Sequence, residues 1–161
     1  MISLMRIDDR LIHGQVAVVW SRYLGVNRIV VANDEVINNQ MQMMALKMSV
    51  PDGIRPFFVS VNKSIDLLNN PKSKSLKILV IVDKPLDALK IAKNVTDIPL
   101  INLGNYGRVN GEKMKEKKQL SKNVFINKND ELILHQLLDV GIKVNVQPIP
   151  TDADINLKEI L

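Results

Sequence analysis

The 161-residue sequence predicts a single α/β domain, built as a mainly parallel central sheet with helices on both faces. Short apolar runs rich in β-branched residues alternate with segments of roughly ten residues that have helical periodicity, which is typical of βαβ units. The most continuous run, Ile78 to Val82, predicts a central strand buried on both of its faces. The sequence contains no internal repeat or low-complexity segment, so we expect residues 1–161 to share one core.

The strands are predicted from contiguous apolar residues, and the helices from apolar residues that recur at helical spacing. We expect strands at Ile2 to Ile7, Arg28 to Ala32, Phe57 to Val61, Ile78 to Val82, Leu100 to Leu103, Val124 to Ile126 and Lys143 to Val146. We expect helices at Val16 to Leu24, Val36 to Met48, Lys63 to Leu68, Leu86 to Lys93 and Asp130 to Leu138. The tail from Thr151 to Leu161 is compatible with a short helix or with a loose edge element.

Local signals set several of these boundaries. Gly25 and Gly141 suit the position that follows the end of a helix. Asn33 and Asp34 offer an N-cap to the second helix. The methionines of that helix are predicted to fill gaps in the core rather than to form a binding surface: Met41, Met43, Met44 and Met48.

Polar clusters follow four of the predicted strands. They are Asp8 to His13, Asn33-Asp34, Asp83-Lys84 and Gly104 to Arg108. The carboxyl ends of parallel strands meet at one edge of a sheet, and ligands of α/β proteins bind there. We therefore expect these four clusters to share one rim.

The first cluster carries the strongest functional signal. His13 lies between a strand and a helix, with Arg6 and Arg10 close in sequence. Guanidinium groups offer forked donors that suit phosphate oxygens, and the first N–H groups of a helix also bind anions. We predict that His13 handles a phosphoryl group and that the surrounding backbone contacts it at Leu11, Ile12, Gly14 and Gln15.

Asp8 and Asp9 admit more than one interpretation. Neighbours in an extended segment point to opposite sides, which argues against a shared Mg²⁺, and we predict no metal. One of the two carboxylates is a candidate to orient the imidazole of His13. The competing hypothesis is a surface network in which these carboxylates simply pair with Arg6 and Arg10.

Composition limits the classes of function. The chain has no cysteine, which excludes a disulfide framework and fits a cytoplasmic setting, and no apolar run approaches the ~18 residues of a membrane span. The N-terminus lacks the layout of a signal peptide, so we expect a soluble protein. The net charge of +5 suits anionic ligands or an acidic protein partner, whereas 4% aromatic residues argue against base stacking. The run Lys113 to Lys118 predicts a solvated surface, with a docking patch as the alternative.

The segment RIDDRLIHGQV, residues 6–16, resembles the active-site segment of enzyme IIB components of the mannose/fructose/sorbose family in the bacterial phosphoenolpyruvate-dependent sugar phosphotransferase system. The similarity runs along the whole chain. It includes Trp20, IVVANDEV at 29–36, Pro51-Asp52-Gly53, INLGNYG at 101–107, Pro148 and Pro150. One departure is Asn33, where a second aspartate before Asp34 would be expected.

The resemblance implies a phosphocarrier. His13 would receive a phosphoryl group from a phosphohistidine of a IIA protein or domain, and would pass it to a sugar that enters through the IIC/IID membrane permease. In the family the reacting atom is Nδ1, no cofactor takes part, and the protein is cytoplasmic and peripherally associated with the permease. Arg6, Arg10, Asp8 and Asp9 would complete the catalytic set.

Three other classes remain open at this point. A non-catalytic phosphometabolite-binding module would use the same loop, and a receiver-like signalling domain would carry its phosphate on Asp83. A nucleic-acid-binding domain would explain the charge but not the histidine loop. The sequence leaves the sugar open among mannose, fructose, sorbose and amino sugars, and it leaves the oligomeric state open as well.

Overall fold

The structure, a computed structural model, describes residues 1–108 and 114–161, and of Lys115 it describes the backbone only. Its strands are β1 (Ile2–Ile7), β2 (Arg28–Ala32), β3 (Arg55–Val59), β4 (Ile78–Val82), β5 (Ile101–Leu103), β6 (Lys118–Ser121), β7 (Val124–Ile126), β8 (Val144–Val146) and β9 (Ile155–Asn156). Its α-helices are α1 (Gly14–Leu24), α2 (Gln40–Met48), α3 (Val61–Asn69), α4 (Pro85–Asn94), α5 (Lys128–Asp139) and α6 (Leu157–Ile160).

Seven strands form one sheet in the order β3-β2-β4-β1-β5-β8-β9. Every pair in it is parallel except β8 with β9, where the short C-terminal strand runs antiparallel along the edge. β1 lies in the middle, because Met5 pairs with Val80 of β4 on one side and with Ile101 of β5 on the other. The predicted α/β class with a mainly parallel central sheet is confirmed.

Helices cover both faces of the sheet, as predicted. Successive side chains of a strand point to opposite faces, so each central strand contributes to a core cluster on either side. On one face α3, α4 and α5 pack over a cluster that includes Met5 and Val80. On the other face α1 and α2 pack over a cluster that includes Leu4 and Ile81. Val80 and Ile81, in the middle of β4, are 0% and 2% exposed.

The connections that follow β1 and β4 leave the sheet toward opposite faces. β1 and β4 are neighbours in the sheet, but α1 and α4, which follow them, cover opposite faces. The two connections therefore diverge at the carboxyl ends of these strands, and ligands of open α/β sheets bind at such a point. The segment from Asp8 to His13 leaves β1 there.

The predicted helix from Val36 to Met48 is wrong in its first part. The Asn33 side chain accepts hydrogen bonds from the N–H groups of Glu35 and Val36 at 3.0 and 2.9 Å. This cap starts a 3-10 turn over Val36–Asn38, and α2 begins separately after Asn39, whose side chain caps Gln42. Because Asn33 and Asn39 each accept backbone N–H groups, the segment divides into a 3-10 turn and a separate α-helix.

The expectation that the methionines of α2 are core residues is wrong for three of the four. Met41, Met44 and Met48 are 83%, 65% and 87% exposed. Met43 is partly buried against the cluster under α1. Leu46 is the buried residue of α2, so the helix rests on a narrow stripe and turns its other side to solvent.

The C-terminal third differs from its prediction in two places and agrees with it in the tail. The strand Val124–Ile126 pairs with β6 in a separate antiparallel hairpin, and β6 was not predicted. Both alternatives for the tail occur, since β9 is an edge strand and α6 follows it. In the basic run, Lys113 lies outside the described residues, whereas Lys117 is buried and its Nζ donates to the carbonyl oxygen of Gly107 at 2.6 Å. The solvated-surface prediction is therefore wrong for Lys117.

In the described parts of the chain, no helix has the length and apolar character that crossing a bilayer would require.

Candidate active site

The loop after β1 is a tight turn organised by Asp8. The carboxylate Oδ1 of Asp8 accepts the N–H of Arg10 at 3.0 Å. The backbone carbonyl oxygen of Asp8 accepts the N–H of Leu11 at 2.9 Å. Leu11 has a φ of +58°, a left-handed conformation that is uncommon for a branched residue. The side chains of Leu11 and Ile12 are both 4% exposed and belong to the core cluster under α1. The buried pair anchors the loop and leaves His13 at the surface.

His13 is the N-cap residue of α1, and its side chain makes no capping hydrogen bond. The N–H groups of Gly14, Gln15 and Val16 have no intrahelical partner, because helix geometry supplies none in the first turn. Together with the positive end of the helix dipole they favour an anion beside His13. Gly14 and Gln15 are exposed, so a ligand can reach this end of the helix.

Arg10 is the charged residue in contact with the imidazole. Its Nη1 lies 3.1 Å from Nε2 of His13, and both side chains are exposed. A guanidinium donates hydrogen bonds and accepts none, so Nε2 is the acceptor in this contact. A neutral imidazole in this arrangement therefore carries its proton on Nδ1.

Arg6 is not placed as the sequence suggested. It is 2% exposed, and its Nη2 forms an ion pair with Asp8 Oδ2 at 2.9 Å. Its Nη1 donates to Asn102 Oδ1 at 2.5 Å, and the guanidinium stacks 5.6 Å from the centroid of the Trp20 ring. Burial lowers the pKa of Arg6, and the charge and hydrogen bonds of Asp8 oppose that change. The arginine supports the loop from below and does not offer its donors at the surface.

The two aspartates point to opposite sides, as expected from their positions in the chain. Asp8 faces inward to Arg6, whereas Asp9 Oδ2 accepts the N–H of Gly107 at 2.8 Å. Burial raises the pKa of the Asp9 carboxyl, although the hydrogen bond from Gly107 works in the opposite direction. Among the described residues neither carboxylate is hydrogen bonded to the imidazole, which contacts Arg10 instead.

The backbone of the loop is less free than predicted. The N–H of Leu11 is already bonded to Asp8, and this removes one of the four groups expected to contact a phosphate. Gly14 and Gln15 keep free N–H groups by their place in the first helical turn. The start of α1 and the Arg10 guanidinium thus keep donors that are available to an anion.

The other polar clusters reach the same rim, in agreement with the topology. Asn105 connects to the first loop, since its Nδ2 donates to Asp8 Oδ2 at 3.2 Å and its carbonyl oxygen accepts the N–H of Asp9 at 3.0 Å. Asp34 caps α3 by accepting the N–H of Val61 at 2.9 Å.

A small ionic group on this rim surrounds Lys84. Its Nζ lies 3.5 Å from Asp83, 3.8 Å from Glu35 and 3.9 Å from Asp87. Burial disfavours the charge of Lys84, but the three carboxylates outweigh it and raise the pKa of the ammonium group. Asp83 therefore faces a cation of its own chain.

Sequence reasoning missed the buried polar residues beneath the loop. Asn102 and Asn145, both 0% exposed, continue the chain of hydrogen bonds from Arg6, since Asn102 Nδ2 donates to Asn145 Oδ1 at 2.8 Å. Trp20 Nε1 donates to the carbonyl oxygen of Pro148 at 2.9 Å. The available signal was an asparagine at the centre of two short apolar strands, β5 and β8.

Within residues 1–108 and 114–161, no group of three or more His, Cys, Asp or Glu side chains is arranged to hold a metal ion.

Comparisons with known proteins agree over the whole length of the chain. The family model of the phosphotransferase system sorbose subfamily IIB component matches residues 2–161. A probable phosphotransferase enzyme IIB component of Streptococcus pyogenes serotype M6 is 36% identical over 162 residues, which cover 100% of this chain and 99% of that protein. The mannose-specific EIIAB component of Escherichia coli K12 is 31% identical over 160 residues, which cover 99% of this chain and 48% of that protein.

A solved structure shows the same fold. The crystal structure of the IIB domain of the sorbose permease from Klebsiella pneumoniae superimposes with a TM-score of 0.88 at 30% sequence identity. The superposition covers 99% of this chain and 94% of that one.

Proposed function

Because the chain belongs to the sorbose subfamily of IIB components of the sugar phosphotransferase system, and IIB components are phosphotransferases, we propose that His13 is the residue that carries the phosphoryl group. The observation that supports this assignment is the exposed imidazole at the start of α1 with the Arg10 guanidinium 3.1 Å away. A nucleophile, a positive charge and free helical N–H groups meet at one accessible point. The other histidine, His135, lies exposed on α5 without such surroundings.

The proposed reaction consists of two transfers. In the first, a lone pair of the His13 imidazole attacks phosphorus, an N–P bond forms, and the N–P bond to the donor histidine breaks. In the second, a sugar hydroxyl oxygen attacks the same phosphorus, the His13 N–P bond breaks, and the hydroxyl proton ends on the imidazole, which returns to its neutral form. Phosphoryl transfer passes through a loose, in-line transition state, so the protein contributes mainly positioning and charge stabilisation.

Arg10 and the start of α1 are suited to stabilise that charge. The equatorial phosphoryl oxygens carry spread negative charge in the transition state, and preorganised N–H donors lower its energy. The N–H groups of Gly14 and Gln15 are fixed by the helix, and Arg10 adds a full positive charge. Arg6 contributes as a positioning residue, because its contacts hold Asp8 and Asp8 holds the turn.

Reaction through Nδ1, which the family resemblance implies, requires a change at the imidazole. The Arg10 contact places the neutral ring's proton on Nδ1, so this proton must leave and Nε2 must take one up before Nδ1 can attack. A protonated Nε2 no longer accepts from Arg10, and the guanidinium is then released toward the phosphoryl oxygens. Arrival of the phosphoryl group at Nδ1 and loss of the contact between Arg10 and Nε2 of His13 are therefore coupled.

The donor is proposed to be a phosphohistidine on a IIA protein, and the acceptor a sugar that enters through a IIC/IID permease. The mannose-specific EIIAB component supports this choice of donor, since its name joins IIA to the IIB part that this chain matches. The net charge of +5 would speed encounters with an acidic donor that must dissociate again. A cytoplasmic location beside the permease follows from these partners.

The decisive experiment supplies phosphoenolpyruvate, enzyme I, HPr and the cognate IIA protein, and then locates the phosphate. We expect an acid-labile, base-stable phosphate on His13 that is absent from His13→Ala and present in His135→Ala, the matched control. A base-labile acyl phosphate on Asp83 would instead identify a receiver-like domain. Tight binding of phosphometabolites with no covalent phosphate would identify a binding module.

The role of Arg10 is tested separately. Arg10→Ala should slow phosphoryl transfer to His13 by roughly 100-fold, the loss typical of one preorganised donor, while the unfolding curve stays unchanged. Arg55→Ala is the matched control, because Arg55 is an exposed arginine at the start of the edge strand β3. Equal transfer rates in the two variants would remove Arg10 from the mechanism.

A further inference from the structure

An exposed row of methionines runs along α2. Met41, Met44 and Met48 are 83%, 65% and 87% exposed. Their spacing of three and then four residues places them on the same side of the helix. Met43 and Leu46 face the core in their place. The stability of the fold does not account for this row, which we call the methionine face.

One end of the methionine face, Met48, lines a groove that reaches the start of α1. The groove has a volume of about 920 Å³. Its lining includes Gly14 and Gln15, which directly follow His13, and also Met48 and Pro51. The groove thus extends from the start of α1 to the end of α2. α1 and α2 also pack on the same face of the sheet, and α2 begins shortly after the rim segment that follows β2.

A protein that reaches His13 must also cover much of this region. A standard interface buries ~800 Å² on each partner, which corresponds to a disc of about 16 Å radius. The nine residues of α2 span only ~14 Å along the helix axis. A partner seated over His13 and the adjoining groove would contact α2 at Met48, which lines that groove.

We infer that the methionine face is a docking surface for the protein that donates the phosphoryl group to His13. This inference rests on the proposed function. Methionine is flexible and polarisable, so a methionine-rich surface adapts to a partner without fixing one rigid arrangement. Such a surface suits a carrier that must release its donor before it meets its acceptor.

Charge favours the donor over a second copy of the chain. Three exposed cations lie around this region, Arg22 in the groove, Lys47 on α2 and Arg10 next to His13, against one exposed carboxylate in the groove lining, Asp52. This layout of an apolar centre with a charged border is typical of protein interfaces. Two copies would bring these cations against each other, whereas an acidic donor would be attracted to them.

The experiment uses the full chain labelled with ¹³C at the methionine methyl groups and titrated with the cognate IIA protein. We expect the methyl signals of Met41, Met44 and Met48 to shift. The signal of Met5, which is 0% exposed in the core, should stay in place. Phosphoryl transfer to His13 is measured on the same samples.

A variant tests the same surface by kinetics. The triple substitution Met41→Gln, Met44→Gln and Met48→Gln should raise the KM for phosphorylated IIA about tenfold, which corresponds to ~1.4 kcal/mol, with the maximal rate unchanged. Leu132→Gln is the matched control, because Leu132 is 58% exposed on α5 and belongs to neither the groove nor α2. Circular dichroism establishes that α2 is retained, and Met48→Gln alone replaces the triple variant if it is not.

The outcomes separate this inference from the proposed function. Methyl signals that stay fixed at saturating IIA overturn the docking surface, whether or not His13 is phosphorylated. Shifts that follow the chain's own concentration without IIA overturn it in favour of self-association, and shifts seen only with permease-containing vesicles overturn it in favour of the acceptor. Shifts with IIA but without phosphate on His13 support docking while the proposed function fails.

Discussion

Removing the Asp8 carboxylate should destabilise the protein strongly, because it leaves a buried charge without its partner. Asp8 is 0% exposed and receives hydrogen bonds from Arg6, Asn105 and the Arg10 N–H. In Asp8→Ala the Arg6 guanidinium, 2% exposed, would keep only neutral acceptors such as Asn102 Oδ1. Breaking a buried ion pair in this way costs about 3–5 kcal/mol.

The magnitude can be converted into a melting temperature. For a domain of this size each kcal/mol corresponds to a shift of about 2–4 °C, so Asp8→Ala should melt about 6–20 °C below the unmodified protein. Arg6→Met should cost less, since Asp8 would still accept from the Arg10 N–H and Asn105. The double variant, which contains neither charge, should be more stable than Asp8→Ala alone.

Urea unfolding at pH 7 of the protein and these three variants measures the coupling between the two residues. We expect the double variant to be less destabilised than the sum of the single variants by at least ~1 kcal/mol, which exceeds the usual error of additivity. Lys118→Ala is a suitable control for an exposed ion pair, because Lys118 contacts Glu131 at 3.3 Å at the surface and should cost under ~1 kcal/mol. Additive effects of Arg6→Met and Asp8→Ala would refute the assignment of this pair as a buried, mutually dependent unit.

Three further predictions concern the surroundings of the site. Gly104→Ala should destabilise by about 1–3 kcal/mol in urea unfolding, since a Cβ at this position would overlap the Arg6 guanidinium; an unchanged midpoint would show that Arg6 moves away freely. The raised pKa of Asp9 means that the folded state binds the carboxyl proton more tightly than the unfolded state does. The contribution of Asp9 to the unfolding free energy therefore falls as the pH rises from the pKa of the unfolded state through the raised pKa of the folded state. Asp9→Asn should flatten that part of the pH profile of the unfolding free energy, and an identical profile would contradict the assignment. Tyr106→Phe should cost about 1–3 kcal/mol, because the Tyr106 hydroxyl donates to the buried carboxylate of Asp130 at 2.8 Å; thermal melts of both proteins measure the loss.

The sheet could be predicted because its signal is local. Arg28 to Ala32 and Ile78 to Val82 have the same bounds in the sequence prediction and in the structure, since contiguous β-branched residues leave little choice. The helix predicted over Val36 to Met48 failed because Asn39 caps a second start inside an apolar segment. The prediction that Met41 lies in the core failed for another reason. Periodicity identifies an apolar stripe on a helix without showing how much of that stripe the core covers.

The candidate site was predicted in position but not in internal arrangement. The order of strand, charged loop and helix was enough to place His13 at the start of α1. The two arginines could not be told apart by sequence, although one is buried and the other exposed. What separates them is Asn102 and Trp20, which meet Arg6 only in the folded chain.

The hydrogen bonds beneath the loop also determine when it can form. Arg6 and Asp8 find their partners late in the chain, at Asn102, Asn105 and Gln147, which lie 96, 97 and 141 positions further on. Contacts between such distant positions form slowly, and a growing polypeptide on the ribosome folds from its amino end. The segment with His13 is among the first to be synthesised and among the last to reach its folded geometry. A nascent chain that ends before Gln147 therefore lacks one of the contacts that hold Arg6 beneath the loop.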